Sequence, residues 1–349
     1  MKNPDSGGAE VLTHEIVCRL AERGHAITLF TSSFTGSTKL EKKGNVTIVR
    51  DGGKYTVYSK AKNFYKKNKH DFDLVVDEIN VKPFSTPNFV NEVPIVALIH
   101  QISPEQFTYE LPFPVGIIGR YILEKRWLSS YYDVPTITVS ISTKRSLENM
   151  GFKKIFVIKE GLSIRPIEEI FSKQTKPIIT FIGRLKKHKL PDHALLAFKI
   201  IKKSFPESQM FVIGNGYLLN KLKRLDIKDI TFFGYVDHTK KYELLSQSHV
   251  VLVPGVREGW GLVVIESNAM GIPVVAYKVP GLVDSVIDGI NGIFADANNP
   301  AALAKSAIEL LKDSDRLEEL SRTSLEYSRQ FDWNATASEF EKILLSVKV

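Results

Sequence analysis

Cysteine is almost absent: Cys18 is the single one in 349 residues, which excludes an internal disulfide and fits a reducing cytoplasm. Cys18 falls on the apolar side of a predicted helix, where a buried, inert thiol is expected. No run of about eighteen residues is apolar and free of charge, so no membrane-spanning helix is expected. The opening MKNPDSGGAE has no apolar leader core, and no secretory signal is expected from it. A G-x-S-x-G nucleophile elbow, a phosphate-binding Walker loop and a Cys/His metal cluster are all missing. The recognised nucleic-acid modules are missing too, so no nucleic-acid partner is expected.

What is present is basic charge on an ordinary globular composition. The net charge is +8, which favours anionic partners: nucleotide sugars, phosphorylated acceptors or an acidic membrane surface. The excess concentrates in Lys54–His70, which holds six lysines, four aromatics and no glutamate. That run reads either as a solvated helix face or as a basic-aromatic patch on phospholipid headgroups.

Helical and strand-like runs alternate along the chain, which predicts an α/β fold with parallel sheets in two Rossmann-like domains. Expected strands are Ala26–Thr31, Val46–Val49, Asp73–Asp77, Ile95–Ile99, Thr136–Val139 and Ile155–Ile158, after a helix over Ala9–Arg23. A polar, proline-bearing linker is expected over 161–176. Beyond it come strands Ile178–Ile182, Met210–Ile213, Ile230–Phe233, Val250–Val253 and Pro273–Tyr277, with helices Asp192–Ser204, Tyr217–Leu225 and Thr239–Ser246. The chain is mostly helical from Asn299. The domains are thus 1–160 and 177–330, followed by a C-terminal helix over 331–349. A doubly wound domain normally opens with a strand, and only five residues precede Ser6-Gly7-Gly8. We therefore expect the first strand to lie upstream of Met1.

The densest signal is VPGVREGWGLVVIESNAMGIP, from Val253 to Pro273. A buried strand leads into a glycine loop and then a helix, with carboxylates at Glu258 and Glu266. Glycines let backbone amides approach a ligand, and a helix start favours an anion. Glu258-x7-Glu266, with Gly259-Trp260-Gly261 after the first glutamate, resembles the donor-binding signature of retaining, nucleotide-sugar-dependent glycosyltransferases of family 4. The resemblance covers nearly the whole chain. It implies the two-domain GT-B fold, with an acceptor-side N-terminal domain, a nucleotide-sugar-binding C-terminal domain and a last helix that crosses back to the first.

The resemblance also assigns roles. Glu258 would bind the sugar hydroxyls and Glu266 the ribose, with backbone amides of Gly259, Trp260, Gly261 and Leu262 near the diphosphate. Arg184 and Lys189, in Gly183-Arg184-Leu185-Lys186-Lys187-His188-Lys189, resemble the diphosphate clamp. Arg offers a fork and Lys a point charge, and both would stabilise the departing diphosphate more than the ground state. The family usually carries Gly after this Lys, and here Leu190 stands there. His100, after the run Val93–Ile99, would approach the donor sugar. Gly7 and Gly8 resemble the N-domain glycine loop, and Gly234 lies in the segment that reads the nucleobase. Gly214-Asn215-Gly216 lacks the third glycine of a dinucleotide fingerprint and resembles the turn at the nucleotide end of the site.

Asp71-Phe72-Asp73 has metal-binding spacing but precedes its strand, so no metal is expected. No cofactor is expected either, the nucleoside-diphosphate sugar being a co-substrate. The implied reaction moves a sugar to an acceptor hydroxyl with the α configuration kept. The acceptor stays open between a soluble glycan and a lipid-linked or cell-envelope sugar. The stripe Ile117, Ile118, Tyr121, Ile122 and Trp127, with Arg120, Lys125 and Arg126, fits core packing and peripheral membrane contact equally. Expected localisation is cytoplasmic, including the inner membrane face. Two other readings stand beside it: a nucleotide-sugar epimerase on the same fold, and a non-catalytic nucleotide-sugar-binding partner subunit.

Overall fold

The computed structural model describes residues 7–102, 104–170 and 175–348. By its internal contacts the chain divides into two compact units. The first comprises Met1–Ile102, Tyr121–Gly161 and Asp332–Val349, and the second Ser103–Arg120 and Leu162–Phe331.

The first unit opens with helix α1 (Gly8–Glu22), which buries Leu12, Ile16 and Leu20 at the four-residue spacing of an amphipathic helix. Strands β1 (Ile27–Thr31), β2 (Leu40–Lys43) and β3 (Val46–Arg50) form a small sheet in the order β1-β3-β2. Helix α2 (Val57–Asn68) follows. Strands β4 (Val75–Ile79), β5 (Ile95–Ile99), β6 (Thr136–Thr138) and β7 (Ile155–Val157) form a second sheet, parallel and in chain order. Among the described residues β1 and β4 each pair on one side only. The expectation of a strand before Met1 rests on residues 1–6, which lie outside the described residues.

α1 reaches the second sheet as well, where the Thr13 hydroxyl donates to Glu78 Oε1 of β4 at 2.7 Å. The helix Trp333–Lys348 lies along α1, with Arg23 Nη1 2.7 Å from Glu341 and Arg19 Nε 3.0 Å from Asn334 Oδ1. Its anchor is Trp333, fully buried against Gly161, where an added Cβ would stand 2.5 Å from the Trp333 nitrogen. A polar knot ties β4 down: buried Asp77 accepts from the hydroxyls of Tyr131 and Thr86. Burial first, and then the Asp77 charge, push the Tyr131 phenol upward, so it donates at every ordinary pH.

Helix α3 (Pro104–Glu110) begins the second unit's excursion through the first half of the sequence. The second unit's sheet has strands β8 (Ile178–Ile182), β9 (Gln209–Ile213), β10 (Ile230–Gly234), β11 (Val250–Val253), β12 (Val274–Ala276) and β13 (Gly292–Phe294). All are parallel, in the order β10-β9-β8-β11-β12-β13. All four residues of β11 are buried, as an unbroken apolar run requires when helices cover both faces. From β8 the chain winds outward to β10, then returns to β11 on the other side of β8. The winding direction therefore reverses between β8 and β11, the place where open α/β sheets bind ligands.

Several sequence expectations need correction. β2 and β13 were not anticipated. The strand expected at Asp73–Asp77 runs Val75–Ile79. The helix expected over Tyr217–Leu225 is only Leu219–Lys223, because Leu218 N is held by Leu185 O and Asp226 adopts φ +46°. Cys18 is half-buried rather than buried, its sulfur 3.6 Å from His14 Nδ1. The described part of the 161–176 linker has no helix, and residues 171–174 lie outside the described residues.

Candidate active site

Parallel neighbours release their following loops at the same edge of a sheet. The loop after β8 carries Arg184 and Lys189, and the loop after β11 carries Glu258, so the topology alone places them side by side at the reversal. The side chains meet there. Lys189 Nζ donates to both oxygens of Glu258, at 2.6 Å to Oε1, with both groups largely shielded from water. Arg184 is exposed.

Glycines fix this arrangement by close approach. A Cβ on Gly214, whose φ is +126°, would stand 2.1 Å from Gly183 O, and one on Gly216 would stand 2.4 Å from Leu185 O. The Gly-Asn-Gly turn after β9 therefore rests on the backbone of the Arg184 loop, which only a residue without Cβ permits. Gly281 does the same for the other loop. Its φ is +85°, and a Cβ there would stand 2.1 Å from Glu258 O, while Glu258 N donates to Pro280 O. Nothing in the sequence spacing singled out Gly281.

Leu190, where the resemblance expects glycine, adopts φ +49° and ψ +47° and begins the helix Pro191–Ser204. The left-handed backbone is thus kept with a side chain on it, at a cost of about 1–2 kcal/mol. Its side chain is buried, which offsets that strain.

Glu266 lies on the short helix Leu262–Asn268, which Gly261 starts at φ +99°. It accepts from Lys241 Nζ at 2.6 Å, both groups about 15% exposed or less. Lys241, on helix His238–Ser246, escaped the sequence reading because no spacing connects it to Glu266. Trp260 is nearly buried with its ring against Phe331, at 6.0 Å between centroids. Gly259, Gly261 and Leu262 are half-buried in and after the loop. Gly234 ends β10 with φ +68°.

Two groups near Lys189 were also missed, the half-buried Glu110 and the buried His188. Glu110, at the end of α3, accepts from His188 N at 3.1 Å and lies 2.6 Å from His188 Nδ1, and it accepts from the Tyr217 hydroxyl. Burial pushes the Glu110 carboxyl up, yet hydrogen bonds from Tyr217 and His188 outweigh it and leave the group below the ordinary carboxylate range. Burial first, then the neighbouring Lys189 charge, lower His188 below the usual imidazole value. Glu105, five residues earlier, pairs with buried Arg257 at 2.6 Å. Carboxylates far upstream in sequence carry no motif, so only the fold reveals them.

In the first unit, His100 directly follows β5 and is buried, with Nε2 3.0 Å from Glu78 Oε1. Glu78 also accepts from Thr13, which fixes the ring from behind. Gly7 caps α1, its amide donating to Glu10 Oε2 at 2.7 Å, and Gly8 is exposed at the helix start. No group of three or more His, Cys, Asp or Glu able to hold a metal occurs among the described residues.

Two family models tile the chain: Glycosyltransferase Family 4 over residues 6–165 and Glycosyl transferases group 1 over residues 164–327. Glycogen synthase from Mycobacterium tuberculosis is 24% identical over 74% of this chain, which spans 64% of that protein's length. D-inositol 3-phosphate glycosyltransferase 2 from Catenulispora acidiphila is 31% identical over 46% of the chain and 41% of its own length. Among solved structures, sucrose-phosphate synthase from Thermosynechococcus elongatus superposes with a TM-score of 0.80 at 18% identity, covering 98% of this chain and 94% of that one. With its two sheets of parallel strands, its reversal-point loops and both family models in register, the chain belongs to the group 1 glycosyl transferases of the GT-B fold.

Proposed function

We propose that the protein is a retaining glycosyltransferase that moves a sugar from a nucleoside-diphosphate sugar to an acceptor hydroxyl, with no metal or other cofactor. The observation that carries this is the Lys189–Glu258 pair at the winding reversal, with Arg184 exposed beside it.

In that pair each group holds the other's place. An arriving diphosphate offers Lys189 oxygens of higher charge, and Glu258 is then released to accept from sugar hydroxyls. Arg184 supplies the planar fork that phosphate oxygens match. As the sugar–phosphate bond breaks, charge grows on the leaving diphosphate, and two fixed cations favour that state over the bound donor. In the front-face course usual for such enzymes, the leaving phosphate takes the acceptor proton. Glu266, held by Lys241, binds the ribose hydroxyls, and His100, oriented by Glu78, approaches the donor sugar. The acceptor is a glycan or lipid-linked sugar on the cytoplasmic side of the cell envelope.

The test is thermal shift and slow donor hydrolysis with UDP-, GDP- and ADP-sugars, with and without chelator. One nucleotide series should raise Tm in the chelated protein, a ligand at a hundred times its Kd adding about 2.7 kcal/mol. No shift with any series in folded protein overturns the reading and favours a partner subunit.

A further inference from the structure

Lys189 and Glu258 each follow a residue that helix α3 holds. His188 precedes Lys189, and Glu110 at the end of α3 accepts from its amide at 3.1 Å and lies 2.6 Å from its Nδ1. Arg257 precedes Glu258, and Glu105 in the first turn of α3 takes its guanidinium with both oxygens, at 2.6 Å from Nε and 3.1 Å from Nη2. The Tyr217 hydroxyl accepts from Lys187 N at 3.0 Å and donates to Glu110, so two consecutive amides of the loop after β8 answer to one carboxylate. Val256 N donates to His188 O at 3.0 Å, which ties the two loops to each other. All of these residues belong to the second unit.

Stability alone does not call for such a grip. His188 and Arg257 are buried, and apolar side chains in place of a buried ion pair are often no less stable. What charged hydrogen bonds add is direction, because a fork held by both oxygens admits one geometry. Burial raises both carboxylates, and it is outweighed by Arg257 beside Glu105 and by Tyr217 and His188 beside Glu110. Both are therefore ionised acceptors at neutral pH. Direction matters one residue further on, since a misplacement of about 1 Å at a reacting group can cost about a hundredfold in rate.

We propose that Glu105 and Glu110 are positioning residues of the transfer reaction: through Arg257 and His188, α3 sets where Glu258 and Lys189 stand against the donor's sugar and diphosphate. This rests on the glycosyltransferase reading and assigns a role in it to residues outside both sequence motifs. Neither carboxylate needs to touch the donor, because each acts through the neighbour of a residue that does.

The experiment measures donor hydrolysis by the full chain, with whichever of the UDP-, GDP- or ADP-sugars the wild type turns over, in Glu105→Ala and Glu110→Ala. Each should lower kcat about tenfold or more while KM stays within about threefold, the split expected when an interaction is lost mainly in the transition state. Glu110→Gln, which keeps an acceptor oxygen for His188, should recover much of the loss. Glu110→Ala combined with His188→Ala should cost little more than either alone, since the two act as one unit. Hydrogen exchange over residues 186–190 and 255–259 should quicken in the alanine variants with β8 unchanged, and it needs no donor. If the alanine variants misfold, the near-isosteric Glu105→Gln and Glu110→Gln carry the same comparison, with a smaller fall in kcat. Variants that keep the wild-type kcat, or that raise KM and leave kcat alone, overturn the positioning role and leave the transferase reading standing. A folded wild type that hydrolyses none of the sugars overturns the transferase reading itself.

Discussion

The Glu258 carboxylate is held by Lys189, so its removal acts on that pair and on the reaction in different ways. Glu258→Gln weakens the Lys189 contact and keeps the shape. If the bonds to the sugar strengthen in the transition state, kcat/KM should fall by about 1.5–3 kcal/mol, with a small change in Tm. Unchanged turnover would remove Glu258 from the reaction. Leu190 poses a different question, because strain and burial oppose each other there. Glycine would release about 1–2 kcal/mol of left-handed strain but delete a buried side chain worth about 2–5 kcal/mol. Leu190→Gly should therefore lower stability by about 1–3 kcal/mol in urea titration, and a stabilised variant would show that strain dominates. Sequence made Glu258, Glu266, Arg184 and Lys189 visible because their spacing sits in one contiguous motif each. Lys241, Glu110, Glu105, Glu78 and Gly281 escaped it, since each meets its partner only through the fold.

Helix α3 is an element whose anchorage responds to protons. Its two carboxylates, Glu105 and Glu110, rest below the ordinary carboxylate value of 4.5, in each case because partners outweigh burial. His188 rests below its ordinary value of 6.5. For all three the released state binds protons more readily than the docked one, so docking is fully favoured above pH 6.5 and weakens as pH falls. Hydrogen exchange should show uptake over residues 104–110 rising between pH 7 and pH 4, more than in β8 or β11. Equal uptake at both pH values would show that these contacts do not hold α3. The same scale explains which elements sequence could not show. β2 is four exposed residues, Leu40–Lys43, on a sheet edge, with no apolar face to read. β13 is three residues beginning with glycine, below the length at which a period of two is visible. The central strands β8, β9 and β11 were legible because burial on both faces demands continuous apolar residues.

For the whole molecule, the two compact units have separate cores, and their stabilities should be separable. Trp333 is the largest fully buried side chain of the first unit's returning segment. Trp333→Ala should cost that unit about 3–5 kcal/mol and bring its calorimetric transition down. The second unit's transition should stay in place and still rise with the nucleotide sugar. A single transition that moves as a whole would show that the units unfold together. No helix among the described residues is long and apolar enough to cross a membrane.

The sequence by itself determined the alternation of strands and helices, the parallel sheets and the two loops that carry the charged residues. Those follow from local periodicity and from contiguous motifs, in which a residue's neighbours in sequence are its neighbours in space. Only the tertiary structure decided that Lys189 holds Glu258, that Lys241 holds Glu266 and that α3 is fastened through His188. It also decided which way the helix 115–128 faces. Its apolar stripe fits a core and a lipid surface equally well in sequence. Gly116 and Gly119 pack against Phe107 and Leu128 enters a core cluster, while Ile117, Ile118, Tyr121 and Ile122 are exposed.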